Sequence, residues 1–237
     1  MIKLLHSADW HLNAPLIGKS PEQAQQLRQS LLEIPEKVAA ICRERECDLL
    51  LLSGDLYDGA YSKESYLAVY NALCGLTVPV FIAPGNHDFA AADSVWLAER
   101  WPENVHIFTT PNITSVPLPE LDCRVYGAGF TGMDCPALLD GFTAEQDEKW
   151  AIGILHGDPT QTQSPYCPIT SQQLRDSGLH YLALGHIHKG GFLREGKTLC
   201  AWPGCAMGRG YDEPGVKGVL VVELDNSVSA RFLPLST

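Results

Sequence analysis

Short apolar runs recur along the chain, and segments of mixed polarity separate them. Runs of four to eight residues that are rich in leucine, isoleucine and valine are typical of buried strands. They predict strands at residues 2–6, 48–53, 78–83, 105–108, 124–128, 150–156 and 181–184. Two later runs, 217–224 and 228–233, alternate between apolar and polar positions, which predicts an antiparallel pair joined by a turn at Asp225 and Asn226.

The segment between the first two predicted strands is charged and amphipathic, which predicts a helix over residues 21–46. Ser20 and Pro21 suit the start of this helix, because serine caps the first turn and proline is tolerated there. Pro35 is expected to interrupt the helix or to start a second one, since proline lacks the N–H that a helix interior needs. Further helices are predicted at 62–74, 91–100 and 171–177.

The order of these elements indicates the fold class. Strand–helix–strand alternation in the first half predicts right-handed crossovers and a mainly parallel sheet. The later strands lack long helical connectors, so we expect a second, more antiparallel sheet. Together they predict an α/β protein with a central β-sandwich of mixed sheets flanked by helices. We found no repeat or linker, which predicts one domain over residues 1–237.

Charge and hydropathy narrow the classes of function. The net charge of −11 argues against a protein that coats nucleic acid, because such binding depends on lysine and arginine. It leaves room for an enzyme that acts on phosphates through bound cations. No signal peptide and no run of about 18 apolar residues is present, so we expect a cytoplasmic protein without a membrane partner.

Polar clusters follow the predicted strands where each one ends. The side chains that could bind a metal in these clusters are Asp9, His11, Asp55, Asn86, His156, His186 and His188, with His87 beside them. The carboxyl ends of parallel strands share one edge of a sheet, so these side chains should converge. Each cluster by itself is a weak signal, but five of the eight histidines fall in this set.

The donor types indicate which ions could bind. Imidazole, carboxylate and amide oxygen, with no thiolate, suit Mn²⁺ first, with Fe or Zn²⁺ as alternatives. Seven donors are too many for one tetrahedral site and suit two divalent ions about 3.5–4 Å apart, bridged by a carboxylate.

The order D-x-H, G-D-x-x-D, G-N-H-D, H and G-H-x-H resembles the calcineurin-like metallophosphoesterase superfamily. The resemblance implies one metal on Asp9, His11 and His188, a second on Asn86, His156 and His186, and Asp55 bridging both. It also implies that His87 protonates the leaving-group oxygen during hydrolysis of a phosphoester. Asp58 and Asp88 stay open between a direct role and the orientation of neighbouring histidines. His6, His106 and His180 fall outside the motifs, and we interpret them as structural.

Finer matches resemble the SbcD-like DNA repair exonucleases. They comprise residues 4–12, the segment 54–58 and a Pro-Gly turn at 203–204 followed by Arg209 and Lys217. The resemblance implies a DNA exonuclease, a homodimer and an SMC-like ATPase partner. SbcD-like nucleases usually continue into a DNA-capping domain and an ATPase-docking segment, and this sequence departs from that pattern because it ends soon after the expected catalytic core.

The acidic balance keeps other substrates open. The basic residues near the predicted site form either a local rim or ordinary solvated charges: Arg175, Lys189, Arg194, Lys197 and Arg209. A phosphatase or phosphodiesterase that acts on a small nucleotide or another phosphoester is the alternative hypothesis. A non-catalytic scaffold is the third, although a scaffold has no chemical need for the whole donor set.

Overall fold

A computed structural model of the protein describes residues 1–210 and 213–235. The strands are β1 (Ile2–Ser7), β2 (Leu49–Leu52), β3 (Val80–Ile82), β4 (Val105–Ile107), β5 (Thr114–Leu118), β6 (Cys123–Gly127), β7 (Trp150–His156), β8 (Tyr181–Gly185), β9 (Lys189–Glu195), β10 (Thr198–Gly204), β11 (Gly218–Leu224) and β12 (Val228–Pro234). The helices are α1 (Pro21–Glu44), α2 (Lys63–Cys74), α3 (Val95–Ala98) and α4 (Ser171–Asp176), and a 3₁₀ turn spans Pro119–Leu121.

The strands form two six-stranded mixed sheets. Sheet 1 has the order β12-β11-β1-β2-β3-β4, and sheet 2 has the order β5-β6-β7-β8-β10-β9. In sheet 1 the strands β1 to β4 run parallel to one another. Strand β11 pairs antiparallel with both of its neighbours, β1 and β12. In sheet 2 the strands β6, β7, β8 and β10 run parallel, and the two edge strands β5 and β9 are antiparallel. The parallel strands of each sheet therefore end at a common edge.

The four leucines of β2 show why the apolar runs are continuous. All four are fully buried. Leu50 and Leu52 pack in the cluster that joins sheet 1 to α1 and α2, whereas Leu49 and Leu51 pack between the two sheets. A strand covered on both faces must be apolar at every position. A third cluster covers the outer face of sheet 2 and includes Leu174 of α4.

The predicted α/β sandwich of mixed sheets flanked by helices is confirmed, and two details of the strand prediction are wrong. Sheet 2 is not the more antiparallel one, because each sheet has three parallel and two antiparallel pairings. The antiparallel pair β11 and β12 extends sheet 1 instead.

Strands β5, β9 and β10 were not predicted. Pro117 in β5 and two glycines in β9 weaken their strand patterns, and both strands lie at edges where such residues are tolerated.

Helix α1 corrects the expectation for Pro35. The helix begins after Ser20, whose side chain accepts the N–H of Gln23 in a capping box, and it continues through Pro35. Ile34, Pro35 and Val38 are buried, so packing against sheet 1 offsets the missing hydrogen bond.

Helix α3 is shorter than predicted, since only Val95–Ala98 is helical. Among the described residues, we find no helix long and apolar enough to cross a membrane.

Candidate metal centre

The predicted donors gather at the edge where the parallel strands of both sheets end. Asp9 and His11 follow β1, Asp55 follows β2, and Asn86 follows β3. Sheet 2 contributes His156, the last residue of β7, and His186 and His188, which follow β8. Asp9, His11, Asp55, Asn86 and His156 are buried, and His186 and His188 are partly exposed.

Left-handed backbone conformations are concentrated in this centre. Asp9, His11, Asp55 and His186 have φ values of 53°, 50°, 52° and 93°. Such conformations are unfavourable for residues with side chains and persist only where the surroundings hold them. Here the loops after β1 and β2 hold each other, because the N–H of Asp9 donates to Gly54 O at 3.0 Å and the N–H of His11 donates to Asp55 O at 3.0 Å.

Two glycines allow the donors to approach one another. A Cβ on Gly85 would lie 2.3 Å from Asp55 Oδ1, and a Cβ on Gly54 would lie 2.6 Å from His156 Nδ1. Gly54 also has φ +86°, which favours glycine. Side chains at these two positions would therefore collide with the predicted ligands.

One half of the centre contains Asp55, Asn86, His156 and His186. His156 Nδ1 lies 2.9 Å from the Ser53 carbonyl oxygen, to which it donates, so its Nε2 is the ring nitrogen that faces the centre. That Nε2 faces Asn86 Oδ1 at 3.0 Å and Asp55 Oδ2 at 3.4 Å. His186 Nδ1 lies 3.3 Å from the same Asn86 oxygen. Atoms that can bind a metal thus converge in this half of the centre.

The other half contains Asp9, His11 and His188, whose donor atoms all lie within 4.8 Å of one another. His188 Nδ1 lies 2.7 Å from Glu213 Oε1, which leaves His188 Nε2 free to face His11 Nε2 at 3.0 Å. Two imidazole nitrogens at this distance need a proton or a cation between them. Asp55 Oδ2 lies 3.9 Å from His11 Nε2, so this oxygen faces both halves of the centre.

The electrostatics of the cluster favour a cation. Burial lowers the pKa of His156, but Asp55, Asp9 and the Ser53 carbonyl together outweigh burial and raise the pKa to about 9. Burial also raises the pKa of Asp9 to about 6. A neighbouring positive charge would relieve both effects, because a buried carboxylate is stable when it is paired or binds a metal. The donor set, its convergence and its electrostatics therefore fit two divalent ions.

His87 lies at the open side of the centre, next to Asn86. Its Nδ1 is 2.6 Å from Asp58 Oδ1, and 42% of its side chain is exposed. The hydrogen bond to Asp58 raises the pKa of His87 above its ordinary value, and burial opposes this only in part. Its ring packs edge-on against that of His11, with 4.9 Å between centroids. Asp58 thus has the contact expected of a carboxylate that orients a histidine.

Among the described residues, the Asp88 carboxylate has backbone N–H groups of two loops as its hydrogen-bond partners and no histidine. Its carboxylate accepts the backbone N–H groups of Leu56 at 2.8 Å, Gly85 at 2.7 Å, Asp55 at 3.1 Å and Tyr57 at 3.3 Å. Burial and the charge of Asp55 raise the pKa of Asp88 to about 7. The loops after β2 and β3 are therefore fixed to each other beneath the donors.

The structure adds Glu213, which sequence reasoning missed, and selects Arg209 from the proposed basic rim. Arg209 Nη2 lies 2.9 Å from Glu213 Oε1, and Nη1 lies 3.6 Å from Asp58 Oδ2. Other rim residues have partners elsewhere: Arg175 pairs with Glu195, Lys197 bonds Gln146, and Arg194 bonds the Val228 carbonyl. A ligating histidine commonly has a carboxylate partner, but the 25-residue separation of Glu213 from His188 gives no local pattern.

The histidines interpreted as structural lie outside the centre. His6 is buried between the sheets, with Nδ1 2.8 Å from the Tyr181 hydroxyl and Nε2 2.7 Å from Ser53 Oγ. His180 Nδ1 accepts the N–H of Ala151 at 3.1 Å, and His106 is exposed on β4.

Comparison with known proteins places these features in context. The family model described as calcineurin-like phosphoesterase matches residues 2–190. An uncharacterized metallophosphoesterase of Bacillus subtilis, YhaO, is 31% identical over 250 residues, which cover 98% of this chain and 60% of that protein. The chain therefore spans about 60% of the length of this relative.

Solved structures share the fold at low sequence identity. A dimetal phosphatase from Danio rerio is 12% identical with a TM-score of 0.66, over 99% of this chain and 96% of that one. A novel archaeal phosphodiesterase is 13% identical with a TM-score of 0.55, over 98% of this chain and 100% of that one. At these identities the likeness concerns the fold alone.

Proposed function

This chain belongs to the calcineurin-like phosphoesterase family, and from that premise we propose that it is a two-metal phosphodiesterase of the SbcD-like DNA exonuclease type. Family membership makes it a metal-dependent phosphoester hydrolase by class. The observation that carries the proposal is the convergence of candidate metal-binding atoms from both sheets around Asp55 Oδ2, which lies 3.4 Å from His156 Nε2 and 3.9 Å from His11 Nε2.

We assign the donors to two divalent ions, with Mn²⁺ as the preferred metal. Asp9, His11 and His188 would hold one ion, Asn86, His156 and His186 would hold the other, and Asp55 would contribute to both. When bound, such ions acidify water at neutral pH and offset the charge of the phosphoryl group. The fixed loops after β1, β2 and β3 keep the donors oriented before substrate arrives.

His87 is proposed as the general acid. Its Nδ1 faces Asp58 Oδ1 at 2.6 Å, so Nε2 is the atom left to hold a proton for the leaving-group oxygen. The hydrogen bond to Asp58 raises the pKa of His87, which favours retention of this proton, whereas burial lowers the pKa of His11 to about 3. Of these two neighbouring rings, His87 is therefore the one suited to donate a proton.

The substrate part of the proposal rests on the flanking sequence matches at residues 4–12, 54–58 and 203–218. A homodimer and an SMC-like ATPase partner are proposed on the same resemblance.

A second candidate function, hydrolysis of a small nucleotide or another phosphoester, is favoured by the charge of the chain around the centre. The net charge is −11. Of the five basic residues considered as a rim, Arg209 is the one that, among the described residues, contacts groups of the centre.

A substrate panel with Mn²⁺ separates these candidates. It compares a phosphomonoester, an aryl phosphodiester, a cyclic nucleotide, and single- and double-stranded DNA. DNA degradation that is lost in His87→Ala and Asp55→Asn, and retained in the exposed control Arg175→Gln, supports the nuclease. Turnover of small esters with intact DNA would contradict the nuclease and support the second candidate. Absence of turnover with Mn²⁺, Fe²⁺ and Zn²⁺ would contradict the enzyme itself.

A further inference from the structure

Arg209 connects two carboxylates, Asp58 and Glu213, that lie beside the centre. Its Nη2 lies 2.9 Å from Glu213 Oε1, its backbone N–H donates to Glu213 Oε2 at 2.9 Å, and its Nη1 lies 3.6 Å from Asp58 Oδ2. The side chains are shielded from solvent, with 20% of Arg209, 8% of Glu213 and 16% of Asp58 exposed. Shielding makes such contacts stronger than they would be at the surface.

Each of these carboxylates also contacts one imidazole. Asp58 Oδ1 lies 2.6 Å from His87 Nδ1, and Glu213 Oε1 lies 2.7 Å from His188 Nδ1. Asp58 thus uses one oxygen for its histidine and turns the other towards Arg209. Glu213 has both oxygens engaged by Arg209 and one of them by His188 as well. A carboxylate held at both oxygens cannot rotate freely, and neither can the ring that it bonds.

We propose that Arg209 and Glu213 form a positioning pair that orients His87 and His188 together. The contacts run from His87 through Asp58, Arg209 and Glu213 to His188, so one guanidinium links the proposed acid on the sheet 1 side to a metal-binding ring on the sheet 2 side. This inference rests on the proposed function of the same centre. Arg209 acts through the two carboxylates and is a positioning residue.

The planar guanidinium suits this task, because its donors have fixed directions and reach two carboxylates at once. A lysine has one ammonium group and reaches only one of them well. Arg209→Lys is therefore expected to retain the positive charge and still lose most of the orientation of His87 and His188. Arg209→Gln removes the charge and the second contact together. Arg194→Gln is the matched control, because Arg194 bonds the Val228 carbonyl outside the centre.

A leaving-group series tests the link to His87. At saturating Mn²⁺, kcat is measured for phosphodiesters whose leaving groups range from acidic phenols to alcohols. Acidic phenols leave without protonation, so Arg209→Gln should lower kcat little for them and by about 10–100-fold for alcohols. Asp58→Asn should show the same trend, and the double variant should be no slower than the slower single variant. A uniform rise of KM across the series would instead make Arg209 a phosphate-binding residue and overturn the proposal.

Mn²⁺ binding followed by calorimetry tests the link to His188 without any turnover. Glu213→Gln is expected to weaken one of two Mn²⁺ binding steps by about tenfold or more and to leave the other nearly unchanged. Adding Arg209→Gln to Glu213→Gln should leave that step as it is, because the contact through Glu213 is already lost. Equal weakening of both steps, or additive effects of the two substitutions, would overturn the positioning pair.

The two tests fail in distinguishable ways. A wild-type protein that binds Mn²⁺ and hydrolyses no phosphoester would contradict the proposed function, and calorimetry would still decide the role of Glu213 and Arg209. An active wild type whose rate and Mn²⁺ binding are unaffected by Arg209→Gln would contradict the positioning pair alone. Circular dichroism and thermal unfolding of each variant establish that the fold is retained, and Arg209→Lys provides a second variant if Arg209→Gln does not fold.

Discussion

The two sheets make different contributions to the centre. Sheet 1 supplies every oxygen donor, Asp9, Asp55 and Asn86, and only His11 as an imidazole, whereas sheet 2 supplies imidazoles alone. The loops of sheet 1 are also tied to each other, since Asp88 accepts N–H groups from both the β2 and β3 loops. Asp158, after β7 in sheet 2, instead bonds Thr160 and Gln161 within its own loop.

This difference shows how the carboxylates and the imidazole rings of one centre are divided between two sheets. Negative charge in a buried cluster is costly unless it is held and compensated. Sheet 1 carries that charge on loops with left-handed residues and cross-loop hydrogen bonds, and sheet 2 presents imidazole rings, which carry no negative charge. Substitutions in sheet 1 should therefore affect the whole centre, and substitutions in sheet 2 should affect one ion at a time.

The largest effect is expected for Asp55→Asn, because Asp55 Oδ2 faces both halves of the centre. The substitution removes the negative charge that both ions would share, so both ions should bind weakly. We expect kcat/KM to fall by about 10³-fold or more. Turnover of an aryl phosphodiester and the metal content of the purified protein measure this effect. Retention of two tightly bound ions in Asp55→Asn would contradict a bridging role.

The next effect distinguishes two neighbouring histidines of sheet 2. His186 and His188 follow the same strand, but His186 faces Asn86 Oδ1 at 3.3 Å and His188 faces His11 Nε2 at 3.0 Å. His186→Asn and His188→Asn should each weaken a different Mn²⁺ binding step by about 10–100-fold. Calorimetric titration of the two single variants makes the comparison. Loss of the same step in both variants would show that the assignment of ligands to two ions is wrong.

Asp88→Ala should lower the free energy of unfolding by about 3 kcal/mol, because buried N–H groups lose a charged acceptor. Mn²⁺ binding should weaken as well, since both loops beneath the donors lose their support. Asp158→Ala is the control from sheet 2, where only local hydrogen bonds are lost. Urea unfolding of the metal-free proteins gives the stabilities. Equal effects of the two substitutions on Mn²⁺ binding would remove the contrast between the sheets.

The smallest effect concerns the pH dependence of turnover. The hydrogen bond to Asp58 raises the pKa of His87, and the general acid is active only while it holds its proton. Activity that depends on this proton is present below the pKa of His87 and is lost as the pH rises through it. Asp58→Asn lowers that pKa, so the alkaline decline of kcat should move to lower pH. Profiles of kcat for an alkyl phosphodiester measure the shift, and a shift to higher pH would contradict His87 as the acid.

Much of sheet 1 could be predicted from the sequence because its strands are signalled locally. The LLLL run of β2 is apolar at every position and must be covered on both faces, which predicts a central strand. Sheet 2 was harder to predict at its edges. The segment KGGFLRE of β9 has neither a continuous apolar run nor a strict alternation, and its strand conformation depends on antiparallel pairing with β10.

Pro35 shows the same limit within a helix. Its local preference predicts a break in α1, but the buried face formed by Leu31, Ile34 and Val38 keeps the helix continuous. Tertiary packing outweighed local propensity here, as it commonly does where an amphipathic face is buried.

The candidate donors and their order could be recognised from the sequence, because ligand chemistry depends on residue type and each donor follows a recognisable strand. Which donors face one another, and which groups hold them in place, depends on how the loops meet in the folded protein. Glu213 lies 25 positions from His188, and Asp88 lies 32 positions from Leu56, so both contacts arise only when the loops meet. Hydrogen bonds act over about 3 Å in space, and sequence separation carries no record of that distance.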